Sequence, residues 1–253
     1  MASAAAARVA AEVDETRDSV GGVSVLRNAV EGAAWTFVYA PGAGSNLRDP
    51  FGQRLAERLP DAGISLVRFQ FPYQEAGLRR PDGPTTLLAA WRAVLASSRP
   101  TGGTRIAIGG RSLGGRVASV LASEGASVDA LALFAYPLHP PGKPDQLRTA
   151  HLTAIGCPTL FCSGTRDPFA SPEELAASAA LVPDARVHLL DGADHGFATL
   201  KSSGRSREDV WDEAAGVLVE WLGGLEGRGT FKEPHTQAPP AEPSPPHQVR
   251  GKL

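Results

Sequence analysis

Residues 105–115 read RIAIGGRSLGG. The opening RIAIGG is short, apolar and closed by glycine, as expected of a buried strand. The run that follows, LGGRVASVLASE (113–124), suits a helix. Between them Gly110, Arg111, Ser112, Leu113 and Gly114 fit the pattern G-x-S-x-G. The pattern alone is weak evidence, so its context decides. A serine on a sharp strand-to-helix turn has its hydroxyl lifted clear of the sheet, beside free helix amides that favour a developing anion. Gly110, Gly114 and Gly115 supply the small neighbours that such a crowded turn needs. Serine also favours helix N-caps. Glycines on both sides, at the end of a strand, favour the nucleophile over a plain cap.

Outward from this turn the chain alternates. WTFVYA (35–40), ISLVRFQFP (64–72), LALFAYP (131–137), PTLFCSG (158–164) and RVHLLD (186–191) read as further strands. Helical patterns fall between them at 50–59, around Leu87, Leu88, Trp91, Val94 and Leu95, and at 172–181 and 208–221. Strand and helix in repetition predict an α/β fold: a mostly parallel central sheet with helices on both faces. Residues 9–30 predict two leading strands, as an antiparallel pair. The expected organisation is a flexible or leading-strand N-terminus (1–16), one folded domain (17–225) and a Pro-rich disordered tail (226–253). The tail carries Pro239, Pro240, Pro243, Pro245 and Pro246 and could serve a protein partner.

Composition sets outer limits. The 253 residues are 42% apolar and 21% charged, enough for a sizeable core. Lysine plus arginine (25) nearly balances aspartate plus glutamate (27), for a net charge of -2. That balance argues against binding nucleic acid or anionic membrane by bulk charge. No apolar run reaches membrane-spanning length, and residues 1–11 lack the pattern of a secretory signal. Cys157 and Cys162, five apart on one expected strand, should face opposite sides, so neither a disulfide nor a shared metal is expected. The expected setting is reducing and cytoplasmic.

A serine hydroxyl needs a base, and the base needs an orienting acid. After a strand-turn-helix serine the chain order should be Ser, acid, His, each just beyond a strand. Asp167 follows PTLFCSG and His195 follows RVHLLD. Both therefore fall at the carboxyl ends of parallel strands, where α/β sheets bind ligands. Asp194 is the near rival as acid, but is tied to the same turn as His195. His188 lies within its strand and is expected to pack in the core. The anion that forms on attack should be held by the amide of Leu113 and by one from the loop PGAG (41–44), Ala43 first and Gly42 next.

With these residues in place, the chain resembles the α/β-hydrolase superfamily, in its dienelactone-hydrolase-like branch. It is most similar there to the testis-expressed α/β-hydrolase-like proteins and the third subunit of the NSL chromatin complex. The shared stretches are APGAGS (40–45), VRFQFPY (67–73), GGRSLGGRVAS (109–119), YPLHPPGKPDQLRTAHL (136–152), FCSGTRDPF (161–169) and DGADHGF (191–197). The resemblance spans about residues 20–224. It implies the same catalytic group at Ser112, Asp167 and His195, and an enzyme without a large lid. Many α/β-hydrolases carry His-Gly where this chain has Pro41-Gly42.

Two loops should overhang Ser112. One carries Arg79 and Arg80; the other carries His139 and Arg148. Guanidinium groups bind carboxylates bidentately, so the three arginines, with His139 beside them, are candidate contacts for an ester with an anionic end. The expected activity is hydrolysis of a small ester or thioester through an acyl-enzyme, with no metal and no organic cofactor. The alternative is a weak or inactive protein of the same fold that acts as a binding or complex subunit.

Overall fold

The computed structural model describes residues 15–99, 102–140 and 142–226. The expectations for the first 14 residues and for the Pro-rich tail, with its partner, lie outside the described residues.

The chain opens with β1 (Glu15–Val20) and β2 (Val23–Asn28), an antiparallel pair. They turn at Gly21 and Gly22, with φ of 58° and 83°, the left-handed pair that a two-residue hairpin requires. Then follow β3 (Trp35–Ala40), α1 (Pro50–Asp61), β4 (Ile64–Phe69) and a single turn, α2 (Pro72–Glu75). Next come α3 (Pro84–Ser97), β5 (Arg105–Arg111), α4 (Leu113–Ser123) and β6 (Ala130–Phe134). The chain continues through β7 (Thr159–Gly164), α5 (Pro172–Ala179), β8 (Ala185–Leu190) and α6 (Arg207–Leu225). One eight-stranded sheet runs in the order β1-β2-β4-β3-β5-β6-β7-β8. Every pairing from β4 to β8 is parallel, and only the β1–β2–β4 edge is antiparallel.

Sequence and position agree strand by strand. All six residues of β3 are buried, as a central strand covered on both faces demands. Val38 and Ala40 enter the core under α3, α4 and α5. Trp35, Phe37 and Tyr39 enter the opposite core, under α1 and α6. Helix starts are written locally. Asp49 caps α1 through the Gly52 N–H, with Pro50 behind it. Ser171 with Glu174, and Ser206 with Asp209, form reciprocal capping boxes on α5 and α6.

Four details differ from the sequence reading. The strand expected at 131–137 ends at Phe134, because Ala135 turns the chain with φ 46°. The run expected to be extended through Pro72 breaks at Phe69 and gives way to α2. Cys157 precedes β7 rather than lying on it, yet the two thiols do enter opposite cores. His188 is not a core residue. It sits on the outermost strand, half-buried, with Nε2 2.7 Å from Glu213 Oε1 on α6. No helix among the described residues is long and apolar enough to cross a membrane.

Burial pushes the Cys157 thiol up to about 12 and the Cys162 thiol still higher. Thiolates are the reactive form. The folded protein at pH 8 should therefore leave both thiols unreacted with a chromogenic disulfide reagent, and both should react in denaturant. Fast reaction of either one in the folded state would place it outside these cores.

Candidate active site

The turn between β5 and α4 sets the geometry. Ser112 takes φ 52° and ψ -115°, a strained conformation for a residue with a Cβ. It makes no side-chain cap bond to α4, so the reading of Ser112 as a plain helix cap is not what the structure shows. Its backbone N–H donates to the Phe134 carbonyl (2.9 Å), and its own carbonyl accepts from Arg116 (2.9 Å). The neighbouring glycines leave no room for a side chain. A Cβ on Gly110 would stand 2.3 Å from the Ala40 carbonyl oxygen, and one on Gly114 would stand 2.1 Å from the same atom. One on Gly115 would stand 2.5 Å from the Gly110 oxygen.

His195 meets this turn from the loop after β8. Its Nε2 lies 3.0 Å from Ser112 Oγ. Its Nδ1 lies 2.8 Å and 3.0 Å from the two oxygens of Asp167. The Asp167 side chain is fully buried, and Oδ1 also accepts the Phe169 N–H at 2.9 Å. The Phe169 ring rests against the imidazole, with centroids 4.4 Å apart. Serine, imidazole and carboxylate thus form one hydrogen-bonded chain. Asp194 is occupied elsewhere: its Oδ1 accepts the N–H groups of Gly196 (2.8 Å) and Ala198 (2.9 Å), and so shapes the turn that carries His195.

The loop at 41–44 lies against the serine. A methyl group on Gly42 would touch Ser112 Cβ at 3.5 Å. The loop's carbonyls are bound from behind. Gln74 Nε2 donates to Gly42 O (3.1 Å) and Ser45 O (2.6 Å), and the Tyr73 hydroxyl donates to Ala43 O (3.0 Å). In a trans peptide the next N–H points opposite to the carbonyl. The Ala43 N–H therefore points away from Gln74. Among the described residues no acceptor is paired with it or with the Leu113 N–H at the start of α4.

Under the loop sits a polar cluster that the sequence did not reveal. Buried Asp49 accepts from the Tyr39 hydroxyl (2.5 Å), Ser45 Oγ (2.8 Å) and the Gly52 N–H (3.0 Å). Arg111 reaches Asp49 at 3.4 Å with one guanidinium nitrogen and the His195 carbonyl at 3.5 Å with the other. Burial, then the Asp49 charge, holds the Tyr39 phenol well above its ordinary pKa, so it stays a donor. The Asp-Pro pair at 49–50 was the one local signal available, as a helix start.

The other candidate residues divide. Arg148 lines a slot of about 300 Å³ together with Leu113 and Arg116. Arg79 and Arg80 are exposed and do not line it. His139 is buried and turned towards α5: Nδ1 donates to the Pro140 carbonyl (3.0 Å) and Nε2 stands 3.8 Å from Glu174. Among the described residues no cluster of three or more His, Cys, Asp or Glu side chains could hold a metal ion.

Comparison with known proteins agrees with this architecture. Residues 33–223 match the family model described as an alpha/beta hydrolase domain. No curated protein matches the sequence. An alpha-beta serine hydrolase homologue from Coxiella burnetii superposes with a TM-score of 0.65 at 20% identity, covering 83% of this chain and 97% of that one. The esterase domain of a Rhodothermus marinus protein gives 0.60 at 17% identity, covering 83% and 97%. A serine hydrolase without a lid from Xanthomonas campestris gives 0.63 at 18% identity, covering 82% and 95%.

The close approach at Gly114 gives a direct test. Gly114→Ala should cost about 2 kcal/mol or more in urea unfolding, since the backbone atoms it would meet cannot yield cheaply. Gly216 lies exposed on α6 with open space around its Cα. Gly216→Ala should instead add about 0.5–1 kcal/mol. Equal stability of the two variants would contradict the packing of α4 on β3.

Proposed function

From the premise that this chain belongs to the alpha/beta hydrolase domain family, we propose that it is a serine hydrolase of small esters or thioesters. The observation that carries this reading is the unbroken chain Ser112 Oγ, His195 Nε2, His195 Nδ1 and Asp167, at 3.0 Å and 2.8 Å. The motifs quoted above support a place in the dienelactone-hydrolase-like branch, beside the testis-expressed proteins and the NSL subunit. Two buried free cysteines suit a reducing, cytoplasmic setting.

The chemistry follows from the donors and acceptors. Ser112 Oγ bonds to the substrate carbonyl carbon while His195 Nε2 takes the hydroxyl proton. The carbonyl electron pair moves onto oxygen, where the Leu113 and Ala43 amides stabilise it. Collapse breaks the bond to the leaving alcohol or thiol, which receives the proton from Nε2. Water then attacks the acyl-enzyme with its proton passing to Nε2, and the same proton returns to Ser112 as the acid departs. Asp167 fixes the imidazole with its proton on Nδ1 and stabilises the imidazolium. The buried carboxylate, bonded also by the Phe169 N–H, is held for that task.

The segment 135–158 between β6 and β7 carries one 3-10 turn, Leu152–Ala154, among its described residues, and no helical cap. This supports small, accessible substrates rather than a lipase that needs an interfacial lid.

A small fluorophosphonate probe reads an activated serine without knowledge of the substrate. The purified protein should label rapidly and Ser112→Ala not at all. His195→Ala and Asp167→Asn should label slower by on the order of 10³-fold or more. Equal labelling of the protein and Ser112→Ala, or no labelling of folded protein, would overturn the proposal.

A further inference from the structure

Helices α3 and α4 do not close on one another at the end nearest Ser112. The slot between them is walled on α4 by Leu113, Val117 and Val120, and on α3 by Leu87 and Leu88. With Arg116 these α4 positions form the i, i+3, i+4, i+7 stripe of one helix face. The stripe begins at Leu113, the residue after Ser112, so the slot opens one residue beyond the nucleophile and runs away from it along α4.

An apolar slot of this kind carries two cations. Arg116 lies three residues along α4, about 4.5 Å of rise from its first residue, Leu113. Arg148 enters from the loop after β6, pinned where its backbone N–H donates to the Leu138 carbonyl (2.7 Å). Neither guanidinium has a carboxylate within ion-pair distance among the described residues, and the buried Nη1 of Arg116 has no hydrogen-bond partner. Burial first, and then the like charge of Arg148, lowers the Arg116 pKa. The one acidic group in the lining is Asp82, whose Oδ2 already accepts the Tyr73 N–H at 2.9 Å. Two guanidiniums against one carboxylate leave a single net positive charge, the complement of a monoanion.

The faces of the sheet say which half of an ester enters the slot. Leu87 and Val117 belong to the core under α3 and α4. The loop of His195 is anchored by Ala193 and Phe197 in the opposite core. The imidazole reprotonates the leaving group, so the leaving group lies on its side of Ser112 and the slot falls to the acyl chain.

We propose that the substrate is an ester or thioester whose acyl chain ends in a carboxylate, as in a glutaryl or adipyl group, with that carboxylate held between Arg116 and Arg148. This deepens the serine-hydrolase reading and rests on it. The methylenes would lie on Leu87, Leu88 and Val117, and the forked guanidinium donors match the planar carboxylate.

The test compares mono-p-nitrophenyl adipate with p-nitrophenyl hexanoate. The ratio of kcat/KM, acid over neutral, should exceed about 10 in the native protein. It should fall at least tenfold in Arg148→Ala, whose side chain is exposed and whose fold is checked by its urea midpoint, and be restored only in part by Arg148→Lys, which keeps the charge and loses the fork. Arg116→Gln should lower the same ratio. A native ratio near one, or one unchanged by Arg148→Ala, overturns the slot while fluorophosphonate labelling still supports the hydrolase. A second readout needs no turnover: monoethyl adipate should bind Ser112→Ala in calorimetry and not bind Ser112→Ala with Arg148→Ala. Binding there, with neither labelling nor turnover in the native protein, would uphold the anion slot and overturn the hydrolase reading. No binding to Ser112→Ala would overturn the slot.

Discussion

The first turn of α4 rests on the end of β3 with no side chain between them. Gly114 meets the carbonyls of Ala40 and Pro41, and Gly110 meets Ala40 from the strand beside it. A β-carbon at either position would overlap backbone atoms that belong to the central strands. Because the helix can sit this low, the chain must reverse within Ser112 itself. The positive φ there is the consequence, at roughly 1–3 kcal/mol of local strain. Three further features follow from the same contact. Ser112 stands above the carboxyl edge of the sheet, the Leu113 amide opens beside it, and the side chains of α4 begin their outward stripe at the nucleophile.

Ser112 is one of three non-glycine residues with positive φ among the described residues; Ala135 and Phe197 are the others. All three follow strands of the parallel sheet and lie at its carboxyl edge. Each is held by the backbone around it. Ala135 donates to the Cys162 carbonyl (2.9 Å), and Phe197 donates to the Asp194 carbonyl (2.9 Å) with its ring in the core. The strain therefore concentrates where the sheet presents its groups, while the amino edge uses ordinary turns. The loop at 41–44 is held by polar contacts instead. Asp49 collects donors from β3, the loop and α1, so a single buried carboxylate fixes three segments at once. A buried charge is tolerable only when it is so fully bonded.

The legible parts of this protein are those written locally. Strand β5, the glycines around Ser112 and the helix at 113–123 were readable because sterics act between near neighbours in the chain. Asp167 and His195 were reachable through chain order, since parallel strands deliver their following loops to one edge. The parts that were not legible depend on partners far away in sequence. Gln74 supports the 41–44 loop from 29 and 32 residues away, and nothing in PYQE marks it for that role. His188 was assigned to the core from its place in an apolar run, but β8 is an edge strand and α6 supplies a carboxylate there. His139 looked like a site residue because its loop overhangs Ser112. Its side chain turned to α5 instead, for the capping glutamate Glu174 lies there. Nothing in the helical run 113–124 marks Arg116 for a site.

The last of these carries the most consequence. An arginine on the exposed face of a helix is ordinarily solvated, and a sequence gives no reason to think otherwise. Here the same helix must start low on β3, which brings its first two turns under α3 and the loop of Arg148. The guanidinium of Arg116 is thereby drawn out of water beside a second guanidinium and the Tyr136 hydroxyl. A half-buried guanidinium beside a second, exposed one costs stability unless something compensates it. No carboxylate of the described chain stands within ion-pair distance to do so. The packing that creates the strained serine therefore also creates an unmatched positive charge one helical turn beyond it. A nucleophile and a charge set at fixed separation by one rigid helix form a ruler, and a ruler of that length selects acyl groups by where their own charge lies.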